Sequence, residues 1–118
     1  MTAESGEYYA ILITETESIS IPNFNNPYRK DRQTDAHGGV TIYTRSNQIS
    51  KHRTDLDIKD LEATWCEIMI GTKRNLIGAM YRPPNADIRY CSLIEESSEL
   101  AKSTDIHHIR TRMAIHQN

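Results

Sequence analysis

Residues 61–81 read LEATWCEIMIGTKRNLIGAMY, two apolar runs joined by a short polar segment. Residues 61–70 alternate with the two-residue period of a strand, and residues 76–81 form a second β-prone run. Between them, residues 71–75 carry a glycine and polar residues that favour a turn. The stretch therefore predicts an antiparallel hairpin, and the two-sided character of its first strand places Trp65 in the core.

The second run stops abruptly at Tyr81, because Arg82-Pro83-Pro84 follows it directly. Proline has no backbone N–H to donate, so two of them end the ladder of a sheet. A tyrosine at such a strand end can direct its hydroxyl towards a ligand instead of the core. That position suits a tyrosine that binds phosphate.

Two further strands are predicted upstream of this hairpin. Residues 8–14 form a short continuous apolar run, typical of a strand buried on both faces. Gly38-Gly39 opens the next strand, in which residues 40–45 alternate between two faces. Residues 50–60 are charged and irregular, which indicates an exposed connection.

The period changes after Pro84, where apolar residues recur at helical spacing and Glu95, Glu96 and Glu99 fall on the opposite face. The pattern predicts a helix over 87–102. Asn85 or Asp87 is suited to cap its first turn. No period is sustained beyond Ser103, so the ordered part is expected to cover about residues 8–102.

Length and composition indicate one domain in a reducing compartment. The chain has 118 residues and a formal net charge of −2, too small for self-repulsion to oppose collapse. Cys66 and Cys91 show no metal-ligand spacing, and no disulfide is expected. The sequence contains neither an apolar run long enough to span a membrane nor a signal peptide, so a soluble intracellular protein is expected.

Charge is distributed unevenly along the chain. Residues 28–53 contain six lysines and arginines but only two acidic residues, whereas residues 85–105 are mainly acidic. A basic segment can bind a polyanion, because phosphate contacts dominate nucleic-acid affinity. Ordinary solvated charge with local ion pairs explains the same pattern.

Five motifs in this order resemble the endonuclease/exonuclease/phosphatase superfamily, most closely the endonuclease domain of non-LTR retrotransposons. They lie within residues 8–101 and are Ile11-Leu-Ile-Thr-Glu-Thr16, Ile21-Pro-Asn-Phe24 with Arg29-Lys-Asp-Arg32, Gly38-Gly-Val-Thr-Ile-Tyr43, Leu61-Glu-Ala-Thr-Trp-Cys-Glu-Ile68, and Tyr81-Arg-Pro-Pro-Asn85. Each motif alone is weak, and their order and spacing carry the resemblance.

The resemblance implies an α/β fold, a partial two-layer β-sandwich with mostly antiparallel strands and one C-terminal helix. It also implies hydrolysis of a DNA phosphodiester with Mg²⁺, in which Glu15 binds the metal and Tyr81 contacts the scissile phosphate. Arg29, Lys30 and Arg32 would lie along the approach of the nucleic acid. No membrane partner is implied.

Two motifs of that family are absent from the sequence: Gly-Asp-x-Asn, which orients water and phosphate, and Ser-Asp-His, which supplies a histidine. The five histidines present lack an adjacent carboxylate placed to orient them and are expected to be exposed residues without a role. The sequence therefore predicts a single truncated domain over residues 1–118 with weak or no cleavage of its own. Two alternatives stay open, a non-catalytic nucleic-acid-binding remnant and an unstable product without a function.

Overall fold

The computed structural model describes residues 2–5, 9–14, 21–31 and 39–115. A single 3₁₀ turn in these ranges covers Thr54–Leu56. The strands and the helix are, in chain order, β1 Thr2–Ser5, β2 Tyr9–Thr14, β3 Tyr28–Asp31, β4 Gly39–Thr44, β5 Ser50–His52, β6 Ala63–Ile70, β7 Lys73–Arg82, α1 Ile88–Lys102 and β8 His108–Ile115.

The described strands form two four-stranded sheets. The first sheet has the order β1-β2-β4-β3 and is antiparallel throughout. The second has the order β5-β6-β7-β8, in which only the β7–β8 pair is parallel. Helix α1 provides the crossover that a parallel pair requires. The chain is thus a mixed α/β protein of two sheets, with mostly antiparallel strands and one α-helix in its described part.

An inner core lies between the two sheets. The buried side chains of the first sheet meet those of β6 and β7 in one apolar cluster. Fully burying a valine or isoleucine contributes about 1.5–3 kcal/mol, so this contact is a principal source of cohesion between the sheets. The inner core consists of Ile11, Val40, Ile42, Cys66, Ile68, Ile77 and Ala79.

An outer core lies between the second sheet and α1. Trp65 of β6 is completely buried, and its indole Nε1 donates a 2.9 Å hydrogen bond to Oγ of Ser97 on α1. Gly78 of β7 lies under the indole ring, where any Cβ would approach Cζ3 of Trp65 to 2.5 Å. The outer core consists of Leu56, Leu61, Ala63, Trp65, Leu76, Met80, Ala101 and Ile106.

The structure confirms the hairpin and the helix that the sequence predicts. Strands β6 and β7 pair antiparallel around the two-residue turn Gly71-Thr72, and Gly71 has the positive φ of 63° that such a turn favours. Helix α1 begins after Asp87, whose side chain accepts a hydrogen bond from the backbone N–H of Tyr90 at 2.9 Å. Asp87, one of the two candidate caps, is therefore the N-cap residue.

The structure contains strands β1 and β3, which the sequence did not predict, and it differs from the sequence prediction in two further segments. Residues 50–60 are not wholly an exposed connection, because β5 pairs with β6 and Leu56 is buried in the outer core. Regular structure also continues past residue 102, since β8 pairs with β7 along its whole length. Ile109 and Met113 of β8 pack against the outer core. The two arginines between them obscure this alternation in the sequence.

Candidate functional site

Polar contacts between the sheets fix how their strand ends align. The hydroxyl of Tyr28 lies 2.7 Å from Oγ of Ser50, and Oγ1 of Thr44 lies 3.3 Å from the same atom. Ser50 pairs with Ile68, near the turn of the β6–β7 hairpin. The Tyr28 and Thr44 ends of the first sheet therefore lie over the turn end of the second.

The remaining strand ends of the two sheets therefore lie together at the other end of the sandwich. In the first sheet, β2 finishes there at Thr14, which pairs with Gly39, and Gly39 also pairs with Asp31. In the second sheet, β7 finishes there at Tyr81 and Arg82. We call this the Tyr81 end, defined by Thr14, Asp31, Gly39, Glu62 and Tyr81.

Tyr81 lies on the face of β7 that meets the first sheet. It follows Ile77 and Ala79 at two-residue spacing, and it packs half-buried against the rim of the inner core. Its backbone N–H donates to the carbonyl of Glu62 at 3.0 Å, and its own carbonyl accepts from the hydroxyl of Tyr90 at 2.6 Å. The first turn of α1 thus holds the backbone of this strand end in place.

Glu62 is a site residue that the sequence analysis did not single out. It directly opposes Tyr81 across the β6–β7 pair and is only 8% exposed. Leu61 and Ala63 on either side both belong to the outer core, so alternation directs Glu62 to the face that meets the first sheet. A glutamate this deeply buried is uncommon in proteins, and this makes Glu62 a candidate functional residue.

The hydroxyl of Tyr90 links the helix to the backbone of Glu62 and Tyr81. It accepts a 3.3 Å hydrogen bond from the backbone N–H of Glu62 while donating to Tyr81. Burial raises the pKa of Tyr90, and the hydrogen bond from the backbone N–H of Glu62 opposes that rise only in part. Tyr90 therefore remains protonated at neutral pH and keeps donating to the end of β7.

The predicted nucleic-acid-binding residues do not share one surface. Lys30 pairs with Val40 of the inner core and so faces the second sheet, whereas Arg29 pairs with Thr41 and points to the opposite face. Glu15 and Arg32 lie outside the described residues. Among the predicted site residues, Lys30 and Tyr81 are the two whose positions bring them towards the same end.

Part of the basic segment is occupied by contacts within the protein. Arg53 forms ion pairs with Asp55 at 2.8 Å and with Glu67 at 3.0 Å. The guanidinium of Arg45 lies 4.7 Å from the ring centroid of Phe24, a cation–π distance. Local pairing therefore accounts for a share of the positive charge between residues 28 and 53.

The described part of the Tyr81 end offers few protein ligands to a metal ion. Within the described ranges, no group of three or more His, Cys, Asp and Glu residues gathers to hold a metal. In phosphate-processing sites, however, Mg²⁺ usually binds one or two carboxylates and completes its shell with waters and phosphate oxygens. Glu62 is a buried carboxylate at this end, and Glu15, which the resemblance assigns to the metal, lies outside the described residues.

His52 has a structural role that the sequence did not indicate. It belongs to β5, its Nε2 lies 2.8 Å from Oγ1 of the buried Thr64, and its ring stacks on Tyr28 with centroids 4.8 Å apart. Burial lowers the pKa of His52, and the negative charge of Asp57 opposes that shift only in part. This histidine forms part of the seam between the sheets at the end opposite Tyr81.

No family model, curated protein or solved structure matches this chain. No helix in the described ranges is both long enough and apolar enough to cross a bilayer. The structure shows a protein of two packed sheets, with a helix on the outer face of the second. A tyrosine and a buried carboxylate lie at one end of that sandwich.

Proposed function

We propose that the chain is part of a Mg²⁺-dependent phosphodiesterase domain of the endonuclease/exonuclease/phosphatase type, and that it cleaves DNA weakly or not at all by itself. The observation that carries the proposal is the shared end of the sandwich, where β2 finishes one residue before Glu15 and β7 finishes at Tyr81. The motif order of the sequence supports the same assignment and its retroelement origin.

In this proposal the side chains of the Tyr81 end have separate roles in binding the metal and the phosphate. Glu15 and Glu62 would hold a Mg²⁺ ion, which would supply positive charge next to the phosphate. Tyr81 donates a hydrogen bond to the phosphate, and Lys30 provides a positive charge on the facing sheet. Without the Gly-Asp-x-Asn and Ser-Asp-His motifs, no residue of this chain is assigned to orient the attacking water.

Magnesium-dependent DNA binding tests the metal role of Glu15. Fluorescence anisotropy of a short labelled duplex at constant ionic strength should show tighter binding to the wild type with Mg²⁺ than without it. Glu15→Gln should abolish the difference, whereas Glu95→Gln, an exposed helix variant that removes the same charge, should retain it. Binding that does not respond to Mg²⁺, or a response that survives Glu15→Gln, would contradict the proposal.

The same experiment distinguishes this proposal from the alternative, a non-catalytic nucleic-acid-binding remnant. That alternative predicts binding that weakens steeply with salt, does not require Mg²⁺, and depends on the basic side chains of residues 28–53. The opposite orientations of Arg29 and Lys30 favour the Tyr81-end proposal over it. Absence of a cooperative melting transition would instead support an unstable product.

Nicking of supercoiled plasmid tests the predicted loss of activity. With Mg²⁺, the wild type and Glu15→Ala should convert plasmid at similar low rates, because the groups that would activate water are missing. Robust nicking that disappears in Glu15→Ala would show that this chain is a competent nuclease.

A further inference from the structure

Strand β8 is the longest strand at a sheet edge in the described part of the molecule. Among the described strands it pairs with β7 alone, and it spans eight residues without a proline. The other edge strands are shorter: β1 and β3 span four residues each, and β5 spans three. An edge strand directs the N–H and C=O groups of alternate residues away from its sheet, so β8 can pair with an additional strand.

The two faces of β8 differ in chemistry. Arg110 and Arg112 pair with residues of the inner core and therefore lie on the face that meets the first sheet. Ile109 and Met113 lie on the other face, where they are half-buried against the outer core. A strand added beside β8 would place its alternate side chains next to the arginines on one face and next to these apolar side chains on the other.

The arginine face of this edge has a positive charge balance among the described residues. Arg110 is exposed, and Arg112 is half-buried with its guanidinium donating a 2.9 Å hydrogen bond to the backbone carbonyl of Met113. The first sheet contributes one carboxylate position on this side, Glu4 of β1, which is in register with Ile11. One carboxylate against two arginines leaves the positive sign, so this edge favours a partner with negative charge.

The same charge makes a second copy of this chain a poor partner for the edge. In a two-fold antiparallel pair of β8 strands centred on Thr111, Arg110 of one copy would lie opposite Arg112 of the other. Like charges directly opposite each other destabilise a strand pair. The arginines therefore discourage self-association through β8 and leave the edge open to an acidic strand.

We propose that β8 is the docking edge for an extended acidic segment of another protein, which adds a strand to the second sheet. Carboxylates at alternate positions of that segment lie beside the arginine face. The apolar side chains between them extend the outer core past Ile109 and Met113. Backbone hydrogen bonds supply the affinity, and the alternation of acidic and apolar residues supplies the specificity. This inference does not rest on the function proposed for the Tyr81 end.

Fluorescence anisotropy of a labelled peptide, titrated with the whole 118-residue protein at low ionic strength, tests the proposal. The probe is an eight-residue peptide in which glutamate and valine alternate, which matches the length of β8. It should bind, whereas a peptide of the same composition with its glutamates grouped together should bind at least about tenfold more weakly. The reason is that only alternation places the glutamates on one face of an added strand.

Charge reversal at Arg110 tests the contact on the arginine face. Arg110→Glu should weaken binding of the alternating peptide by about tenfold, because an attraction between neighbouring strands becomes a repulsion. Arg89→Glu is the matched control, since it makes the same change in net charge and Arg89 is 79% exposed on α1. It should change the affinity by no more than about twofold. Unchanged melting of both variants confirms that they are folded.

Amide hydrogen exchange locates the bound peptide. Alternate amides of β8 should exchange more slowly when the alternating peptide is bound, because an added strand provides their hydrogen-bond partners. The proposal is overturned if that peptide does not bind, if the grouped peptide binds equally well, if the two variants weaken binding equally, or if protection appears only outside β8. Dimers of the free protein that protect the same amides would assign the edge to a second copy and would also overturn it.

Discussion

Single residues fix how the helix packs on the second sheet, and Gly78 is the most constrained of them. An added Cβ would lie 2.5 Å from Cζ3 and 2.7 Å from Cε3 of Trp65. The indole cannot move aside easily, because its Nε1 is bonded to Ser97. The alternation of β7 is visible in the sequence, but the need for a glycine beneath Trp65 arises only when the strands pair.

Gly78→Ala should therefore lower the free energy of unfolding by about 1–3 kcal/mol, the usual cost of overpacking a core. Urea denaturation followed by the fluorescence of Trp65, the single tryptophan, measures this loss directly. Gly71→Asn is the control, since no atom lies within 4 Å of its added Cβ and asparagine tolerates the positive φ there. Equal stability of Gly78→Ala and the wild type would contradict the packing described.

His52 should make stability fall on acidification. Its folded-state pKa is lowered from 6.5, chiefly by burial, so the folded protein resists a proton that the unfolded chain accepts. The contribution of neutral His52 is complete above pH 6.5 and is lost as the pH falls from there through the lowered folded-state pKa. Melting temperatures from pH 7.5 downward should show a steeper decrease for the wild type than for His52→Gln.

The exposed His107 provides the control for that titration. His107→Gln should retain the steeper slope of the wild type, because the histidine at the seam is unchanged. A slope that is the same in the wild type and in His52→Gln would show that burial of this imidazole does not govern the acid response.

At the scale of elements, the cap of α1 connects helix stability to the Tyr81 end. Asp87→Ala removes the acceptor for the N–H of Tyr90 and should cost about 1 kcal/mol. Glu95→Ala, in the exposed middle of the helix, should be neutral or slightly stabilising because alanine favours helices. Chemical denaturation with circular dichroism compares the two variants, and equal stabilities would contradict the role of Asp87 as N-cap.

The elements also show why sequence patterns predicted some strands and missed others. The β6–β7 hairpin was predictable because its strands are apolar and a glycine marks its turn. The turn is shorter than the predicted 71–75, because it comprises only Gly71-Thr72 and β7 begins at Lys73. Strand β8 was missed because only Ile109 and Met113 face a core, while Arg110 and Arg112 interrupt the apolar run. Strand β5 spans only three residues, which is too short to show a periodic pattern in the sequence.

Residues of the candidate site were predictable only where the local sequence marks their position. The strand-end position of Tyr81 could be predicted because two prolines follow shortly after it. Glu62 could not, since the local sequence does not reveal that Leu61 and Ala63 turn to the helix and leave it facing the other sheet. The divergence of Arg29 and Lys30 likewise depends on the register of β3 with β4.

At the scale of the whole molecule, the account depends on two sheets packed so that β2 and β7 finish at the same end. The inner core and the Tyr28–Ser50 contact hold that alignment, and α1 covers only the second sheet. A metal bound between the sheets at the Tyr81 end would contact both of them. Detecting a metal bound there would therefore test both the alignment of the two sheets and the proposed site.

Paramagnetic broadening by Mn²⁺, used in place of Mg²⁺, is the most direct measurement of this claim. In the NMR spectrum of the whole protein, substoichiometric Mn²⁺ should broaden the amide signals of Gly39, Glu62 and Tyr81 first, and Glu15→Gln should abolish that effect. Broadening centred on the acidic face of α1, or broadening at Tyr81 that persists in Glu15→Gln, would contradict the account.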